Sequence, residues 1–308
     1  MAAGCQADSS GGAPDTEAKP APTAPPRFES ESGAELDGRF YAIVGGETSN
    51  DNRLFELRFS EADLRLLAEA NRVSAVGACE GQLVVAAGQA EVGFGDHIQK
   101  LDGRRFQPLE GLGLTPGFSP AVGTDCRLAY TWVDRSSDAL VDEVRVWDPA
   151  TQAGKTLYRT RAGDGPLVSV AWSQSGELGV VRQGPDQAEE FPPGTPPGRP
   201  PALVVVGPDG TAEEIGLDGT PGVVTWGKAW IAVADDQGTL FIDPATAARS
   251  VLRGWRPVVW SPAGDRLLVK DAAERRTLGI VESSDLGMVK VVGRASAPVI
   301  DIDWLPAE

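Results

Sequence analysis

Few residues in the chain could carry chemistry. His97 is the only histidine in 308 residues. A multi-histidine metal site is therefore excluded, and acid–base catalysis could draw on at most one Ser-His-Asp or Asp-His pair. His97 opens a predicted strand and reads as a packing or surface residue. The sequence contains no G-x-S-x-G, no P-loop and no C-x-x-C, and Gly111-Leu112-Gly113 precedes a strand rather than the helix a dinucleotide site needs. The remaining candidates are carboxylates. Asp301 and Asp303 alternate with Ile300, Ile302 and Trp304, so in a strand both point to one side. Two roles are open to them: binding a cation or basic partner in a channel, or accepting backbone hydrogen bonds from a neighbouring strand and locking it. Asp235-Asp236 and Asp142-Glu143 are expected in strand-connecting loops as solvated charges. No set of four oxygen ligands can be named, so the sequence supports no catalytic residue, no metal and no cofactor.

The cysteines say more. Ala2-Ala3-Gly4 runs into Cys5 like the end of a lipoprotein signal, whose Cys thiol is lipidated, although the preceding hydrophobic region is missing; the other reading is a chance Cys. Residues 6–38 are rich in Ala, Pro, Gly, Ser and acids, with seven acidic and two basic side chains. They hold too little apolar surface to offset ordering entropy and are expected to form a disordered, locally extended tether. The net charge is −16 and the pI near 4.6. With no clustered Lys or Arg, this argues against nucleic acid. No apolar run reaches the ~20 residues that span a bilayer. Arg outnumbers Lys by 22 to 6, the bias of a GC-rich, actinobacterial-type genome.

The elements that must position these residues are short. From residue 39 onward, Val/Leu/Ile/Ala-rich runs are broken by Gly, Pro, Asp and Ser, which reads as strands and turns; only EADLRLLAEA has the spacing of a helical turn. Two units recur. The first is an aromatic, a turn and an apolar strand: GFSPAVGTDCRLAYTW (117–132), AWSQSGELGVV (171–181), TWGKAWIAVA (225–234) and VWSPAGDRLLV (259–269), with degenerate SAVGACEGQLVVAAG (74–88) and truncated VIDIDWL (299–305). Its aromatics, Phe118, Trp172, Trp226, Trp260 and Trp304, are expected to wedge between adjacent sheets. The second is strand–turn–strand, as in VRVWDPATQAGKTLYRT (144–160) and TLFIDPATAARSVL (239–252), where Asp starts the turn by bonding its own backbone.

Interleaved, the two units make four-stranded blades, and residues 39–308 divide into six of about 45 residues each. VIDIDWL is one strand without three partners, and FYAIVGG, LFELRF and DLRLLAEA are three strands without a first. Joining them closes the ring and removes the bare edges an open ring would leave. The reading is an all-β, six-bladed β-propeller of four-stranded antiparallel blades, closed by its C-terminal strand, with seven blades as the alternative.

FSP…LAY and WSPAGDRLLV resemble the TolB-like, WD-repeat-like propeller motif, an aromatic-Ser-Pro-Asp-Gly turn followed by an apolar strand. Ala263-Gly264 and Ser173-Gln174-Ser175-Gly176 depart from that motif, and the separate α/β domain that precedes the propeller in TolB is absent. The resemblance implies the fold, and a face that binds proteins or peptides; some relatives process sugars or peptides.

Cys79 and Cys126 fall in the first hairpin turns of consecutive repeats. They form an inter-blade disulfide in an exported protein, or remain two unrelated thiols. The connection 184–201, GPDQAEEFPPGTPPGRPP, is longer than such links need to be. It is either a partner-binding arm presenting Phe191, Pro192, Pro193 and Arg199 or a tolerated insertion. The sequence thus divides into a lipobox-like start and tether (1–38) and a propeller (39–308). The functional expectation is a monomeric, non-enzymatic scaffold, exported and anchored through Cys5 to the outer face of the cytoplasmic membrane, that binds a protein or peptide in the cell envelope. The rival is an envelope enzyme or small-ligand sensor for sugar or peptide at the channel mouth.

Overall fold

Runs of four to seven β-branched and aliphatic residues are too short for helices and become strands when turn residues bound them. The computed structural model describes residues 25–31, 36–45, 52–69, 73–79, 82–88, 96–112, 117–134, 141–161, 163–185 and 198–307, and no helix occurs among them. Strand β1 is Phe28–Ser30. The first sheet takes β2 (Arg39–Val44), β3 (Arg53–Arg58) and β4 (Asp63–Glu69). The second is β5 (Val73–Cys79), β6 (Gln82–Gly88), β7 (Asp96–Asp102) and β8 (Arg105–Pro108). The third is β9 (Phe118–Val122), β10 (Leu128–Asp134), β11 (Val141–Asp148) and β12 (Ala153–Arg159); the fourth is β13 (Leu167–Trp172), β14 (Leu178–Arg182), β15 (Ala202–Val206) and β16 (Ala212–Gly216). The fifth is β17 (Val224–Trp226), β18 (Ile231–Ala234), β19 (Gly238–Ile242) and β20 (Arg249–Arg253). The sixth is β21 (Trp255–Trp260), β22 (Arg266–Asp271), β23 (Thr277–Glu282) and β24 (Asp285–Ala295), and β25 (Val299–Leu305) returns to the first sheet. Six antiparallel sheets form a ring of blades, five with four strands and the sixth with β1 as a fifth.

Burial follows radial position. The second and third strands lie between neighbouring blades and are covered on both faces, so β14, β18 and β19 are buried throughout. The outermost β12 and β16 are largely exposed and polar. The ring closes where β25 pairs with β2, Phe40 facing Trp304, Tyr41 facing Asp303 and Ile43 facing Asp301. Phe40 and Trp304 stack with centroids 4.8 Å apart.

Three sequence expectations change. EADLRLLAEA is no helical turn: its polar start makes the bend, with Ala62 at φ 50°, and the rest is strand β4. Phe118-Ser119-Pro120 is not the hairpin turn but the body of β9; the turn comes later, closed by Gly123 N–H donating to Arg127 O at 2.9 Å. The wedge position of that blade, opposite Leu128, is therefore Val122, just as Trp172 stands opposite Leu178. The third change is in the tether, expected to lack structure over residues 6–38. Phe28–Ser30 instead pairs with β24, because Phe28, the one aromatic side chain in that stretch, buries itself in the seam core.

Trp304 is 4% exposed within the seam core. Trp304→Ala is expected to lower unfolding free energy by about 3–5 kcal/mol, and Trp304→Phe by much less, measured by urea titration.

Candidate functional site

In each blade the innermost strand has a partner on one side only, so its other edge presents N–H and C=O groups to the axis. Buried backbone groups of this kind need partners. The six innermost strands line an axial cavity of about 290 Å³, and polar side chains reach from one innermost strand to the next. Val76 N–H donates to Asp301 Oδ2 at 3.0 Å, and Val224 N–H donates to Ser169 Oγ at 3.1 Å. Ser119 Oγ donates to Val168 O at 2.8 Å. Asp303 accepts from the Ala78 backbone. From the third strand of its blade, Asp142 Oδ2 accepts from Leu167 N–H at 2.7 Å.

Asp301 and Asp303 therefore meet in the channel, half-buried and lining the cavity, and each ties β25 to β5 of the next blade. Burial pushes the Asp303 carboxyl up to about 7, helped by the neighbouring Asp301 charge. Asp301 is raised by burial as well, with Val76 N–H and Lys270 opposing the shift. Lys270, 8% exposed, donates its ammonium to Ile300 O. Burial holds that ammonium down to about 8 against the pull of Asp301. Among the described residues, no three His, Cys, Asp or Glu side chains are grouped to hold a metal ion.

The other candidates are dispersed. Cys79 and Cys126 are disulfide-bonded with Cα atoms 5.4 Å apart, joining the second blade to the third. Cys126 occupies the φ-positive turn position (62°) that Gly176 and Gly264 fill in the fourth and sixth blades. His97 is buried in β7 opposite Ala87, in the third strand of its blade and away from the axis. Asp235-Asp236 does sit in a connection, Asp235 accepting from Gln237 and Gly238 N–H. Asp142 and Glu143 do not: both lie in β11, buried and partnered. Burial raises the Glu143 carboxyl, but hydrogen bonds from Arg145, Arg159 and Thr156 outweigh it and hold it low. Arg145 in turn stacks 3.6 Å over the Trp132 ring. Cys5, Phe191, Pro192 and Pro193 lie outside the described residues.

Arg199 is described, and its guanidinium turns inward. It bonds Asp164 from Nε at 3.0 Å, Tyr158 Oη at 3.2 Å, and Glu214. Beside it Arg182, 0% exposed, donates to Glu214 at 2.8 and 3.0 Å and to Pro200 O at 3.0 Å. Asp164 is held down to about 2: burial opposes the shift, and the bonds from Arg199 and the backbone decide it. Two arginines and two carboxylates from the third and fourth blades thus clamp the root of the 183–201 connection. Arg182 carried a signal in the sequence, a lone charge ending the apolar run LGVVR, since a buried Arg needs a complete set of acceptors.

Antiparallel alternation sorts the connections by face. Those after the second and fourth strands of each blade emerge together, including 89–95, 109–117, 135–140 and 183–201. Those after the third strand, 103–104, 149–152, 207–211 and 283–284, emerge on the opposite face and are tight turns. One face is therefore rich in long connections, whereas the axial cavity is lined by first-hairpin turns of the opposite face, among them Gly123-Thr124, Ser173-Gln174 and Ser261-Pro262.

The arrangement defines a six-bladed β-propeller, and solved structures share it. TolB from Acinetobacter baumannii superposes with a TM-score of 0.63 at 13% identity, over 87% of this chain and 67% of that one. A chain of a nidogen/laminin complex matches at 0.59 and 12%, over 89% and 100%. An oligogalacturonate lyase in complex with manganese matches at 0.50 and 11%, over 88% and 85%. No family model matches the sequence, and no curated protein does.

Asp303 has a folded pKa near 7 and an unfolded one of about 3.9. The folded state therefore binds the extra proton between those values. The stability tied to this proton is complete below about pH 4 and lost as pH rises through 7. Asp303→Asn is expected to flatten the dependence of unfolding free energy on pH over that window, read by denaturant titrations at a series of pH values. Arg182→Ala leaves Glu214 to Arg199 and strips Pro200 O of its Arg182 donor, and should cost about 1–3 kcal/mol, measured in the same assay at pH 7.

Proposed function

We propose that this propeller is an exported binding scaffold, held to the outer face of the cytoplasmic membrane by a lipid on Cys5, that captures a protein or peptide of the cell envelope. It acts as a monomer, and its working surface is the face that carries the long connections. The observation that carries this reading is the clamped root of the 183–201 connection. Buried charge networks cost desolvation, and this one fixes the two ends of a connection whose Pro-rich sequence would offer a partner area at low entropic cost.

Two further points support it. The nidogen/laminin structure is a complex of proteins, and its matching chain is covered along its whole length. Asp301 and Asp303, which an enzyme of the channel mouth would use, are engaged with the backbone of the neighbouring blade. The second reading, an envelope enzyme or small-ligand sensor for sugar or peptide, rests on the axial cavity and on an Asp303 pKa near 7, suited to a general acid.

The test is affinity capture from the native envelope with the tagged full chain. One defined partner is expected, retained by the Asp301→Ala and Asp303→Ala variants and lost when residues 186–197 are replaced by a short Gly-Ser link. Cys5→Ala should move the protein out of the membrane fraction. Recovery of no partner, or capture that survives the loop replacement and fails with the Asp variants, would overturn the reading.

A further inference from the structure

Away from both the channel and the loop-bearing face, the outer edge of β24 holds a short segment of the chain in a built groove. Phe28, Glu29 and Ser30 pair antiparallel with Ala295, Arg294 and Gly293. The ladder continues at both ends: Glu31 N–H donates to Val292 O at 3.0 Å, and Ser296 N–H donates to Arg27 O at 2.8 Å. Arg27 N–H donates to Ser296 Oγ at 2.8 Å. Phe28 is 5% exposed while Arg27, Glu29 and Glu31 face solvent. The segment is thus an alternating strand with a single anchor.

The socket for that anchor is specific. A Cβ on Gly293 would fall within 3 Å of the Phe28 ring and of Glu29 O. Glycine inside a strand weakens it unless something approaches closely there, and here the Phe28 ring does. The socket wall is Phe59, edge-on to Phe28 at 5.1 Å; Phe59 meets Phe40 at 4.7 Å. Val292, Ala295 and Leu278 complete the same core.

We infer that the β24 edge and the Gly293 socket form a peptide-binding site of the strand-addition kind. Its ligand is an extended segment with one aromatic residue flanked by charged ones, and residues 27–31 of the same chain occupy it. Strand addition draws affinity from main-chain bonds and specificity from one pocket, which is the division seen here. Because the occupant is covalently attached, its effective concentration at the groove is of millimolar order, so the wild-type chain masks the site from an external peptide. Residues 27–31 lie within the stretch proposed as the tether, so this site sets where the free part of the tether leaves the ring, at the junction of the sixth blade with the closing blade.

The probe is a fluorescein-labelled peptide of residues 24–32, APPRFESES, titrated into the full-length chain. Phe28→Ala empties the socket, and the probe is expected to bind this variant at least tenfold more tightly than wild type. Glu29→Pro, which removes a ladder donor without entering the core, should do the same and serves if Phe28→Ala does not fold. A probe with Ala in place of Phe should bind neither variant, and adding Gly293→Ala to either should abolish binding. The inference is overturned if the probe binds neither folded variant better than wild type. It is overturned equally if the Phe-less probe binds as well, or if Gly293→Ala leaves binding intact. Partner capture on the loop-bearing face is read separately, so failure here leaves that proposal standing.

Discussion

The pairing of β25 with β2 is the contact on which the ring depends. A blade of four strands has two edges, and a row of blades left open would expose two further sheet faces lined with apolar side chains. The closing blade takes its innermost strand from the C-terminal end of the chain and the other three from the N-terminal part, so the β25–β2 junction rests on noncovalent bonds alone. Three interactions share that load. The ladder from Arg39 to Val44 satisfies the backbone, the Phe40–Trp304 stack buries area, and Asp301 and Asp303 hold the far edge of β25 against β5.

The choice of aspartate at this one junction follows from the same constraint. Ser119 and Ser169 bridge equivalent innermost strands with hydroxyls, where a covalent connection already joins the blades in sequence. β25 is tied to the second blade only through its pairing with β2, because the chain enters β5 from β4. A carboxylate makes a stronger, charge-assisted bond to an N–H than a hydroxyl does, at the cost of desolvation that Lys270 offsets in part. The raised carboxyl of Asp303 is the residue of that cost. Perturbed acids in channels are a feature of catalytic sites, and closure of a ring is a second way to produce one.

Most of the ring was legible because periodicity and turn chemistry repeat. Four of the six strand–turn–strand units turn at Asp102-Gly103, Asp148-Pro149, Asp209-Gly210 or Asp243-Pro244, and the orphan strand VIDIDWL announced its pairing with the segment from Phe40. What failed was register and partner. Phe-Ser-Pro looks alike in a turn and in a strand, and only the bond from Gly123 to Arg127 O sets the hairpin four residues later. Asp142 and Glu143 read as loop charges because a sequence does not display the arginines that neutralise Glu143 or the Leu167 N–H that meets Asp142. Arg182 and the Phe28 clasp were missed for the same reason: a buried Arg and a single Phe in a polar stretch gain meaning only from acceptors and a socket distant in sequence. Conversely, nothing in the Asp301/Asp303 alternation separated a cation site from a backbone lock until Val76 N–H was placed at 3.0 Å.

The wedge position explains where the ring needed other reinforcement. In four blades it is tryptophan, each packed against the adjoining blade or connection: Trp172 over Gly123, Trp226 over Gly179, Trp260 over Gly227 and Trp304 against Gly38. Each glycine makes room for an indole, so the pair behaves as one unit. In the second and third blades the position is Ala78 and Val122, which fill far less volume. The junction between those two blades accordingly retains a cavity of about 220 Å³, lined by Val122, Leu128, Trp147 and both cysteines of the disulfide. Lost contact area of that kind weakens a packed interface. A cross-link spanning 47 residues restricts the unfolded chain by about 4 kcal/mol in the chain-entropy view, comparable to what a missing indole would have supplied. The disulfide therefore stands in for the indole absent at Val122, and at the Ala78 position the bond from the Ala78 backbone to Asp303 ties the second blade to the closing one.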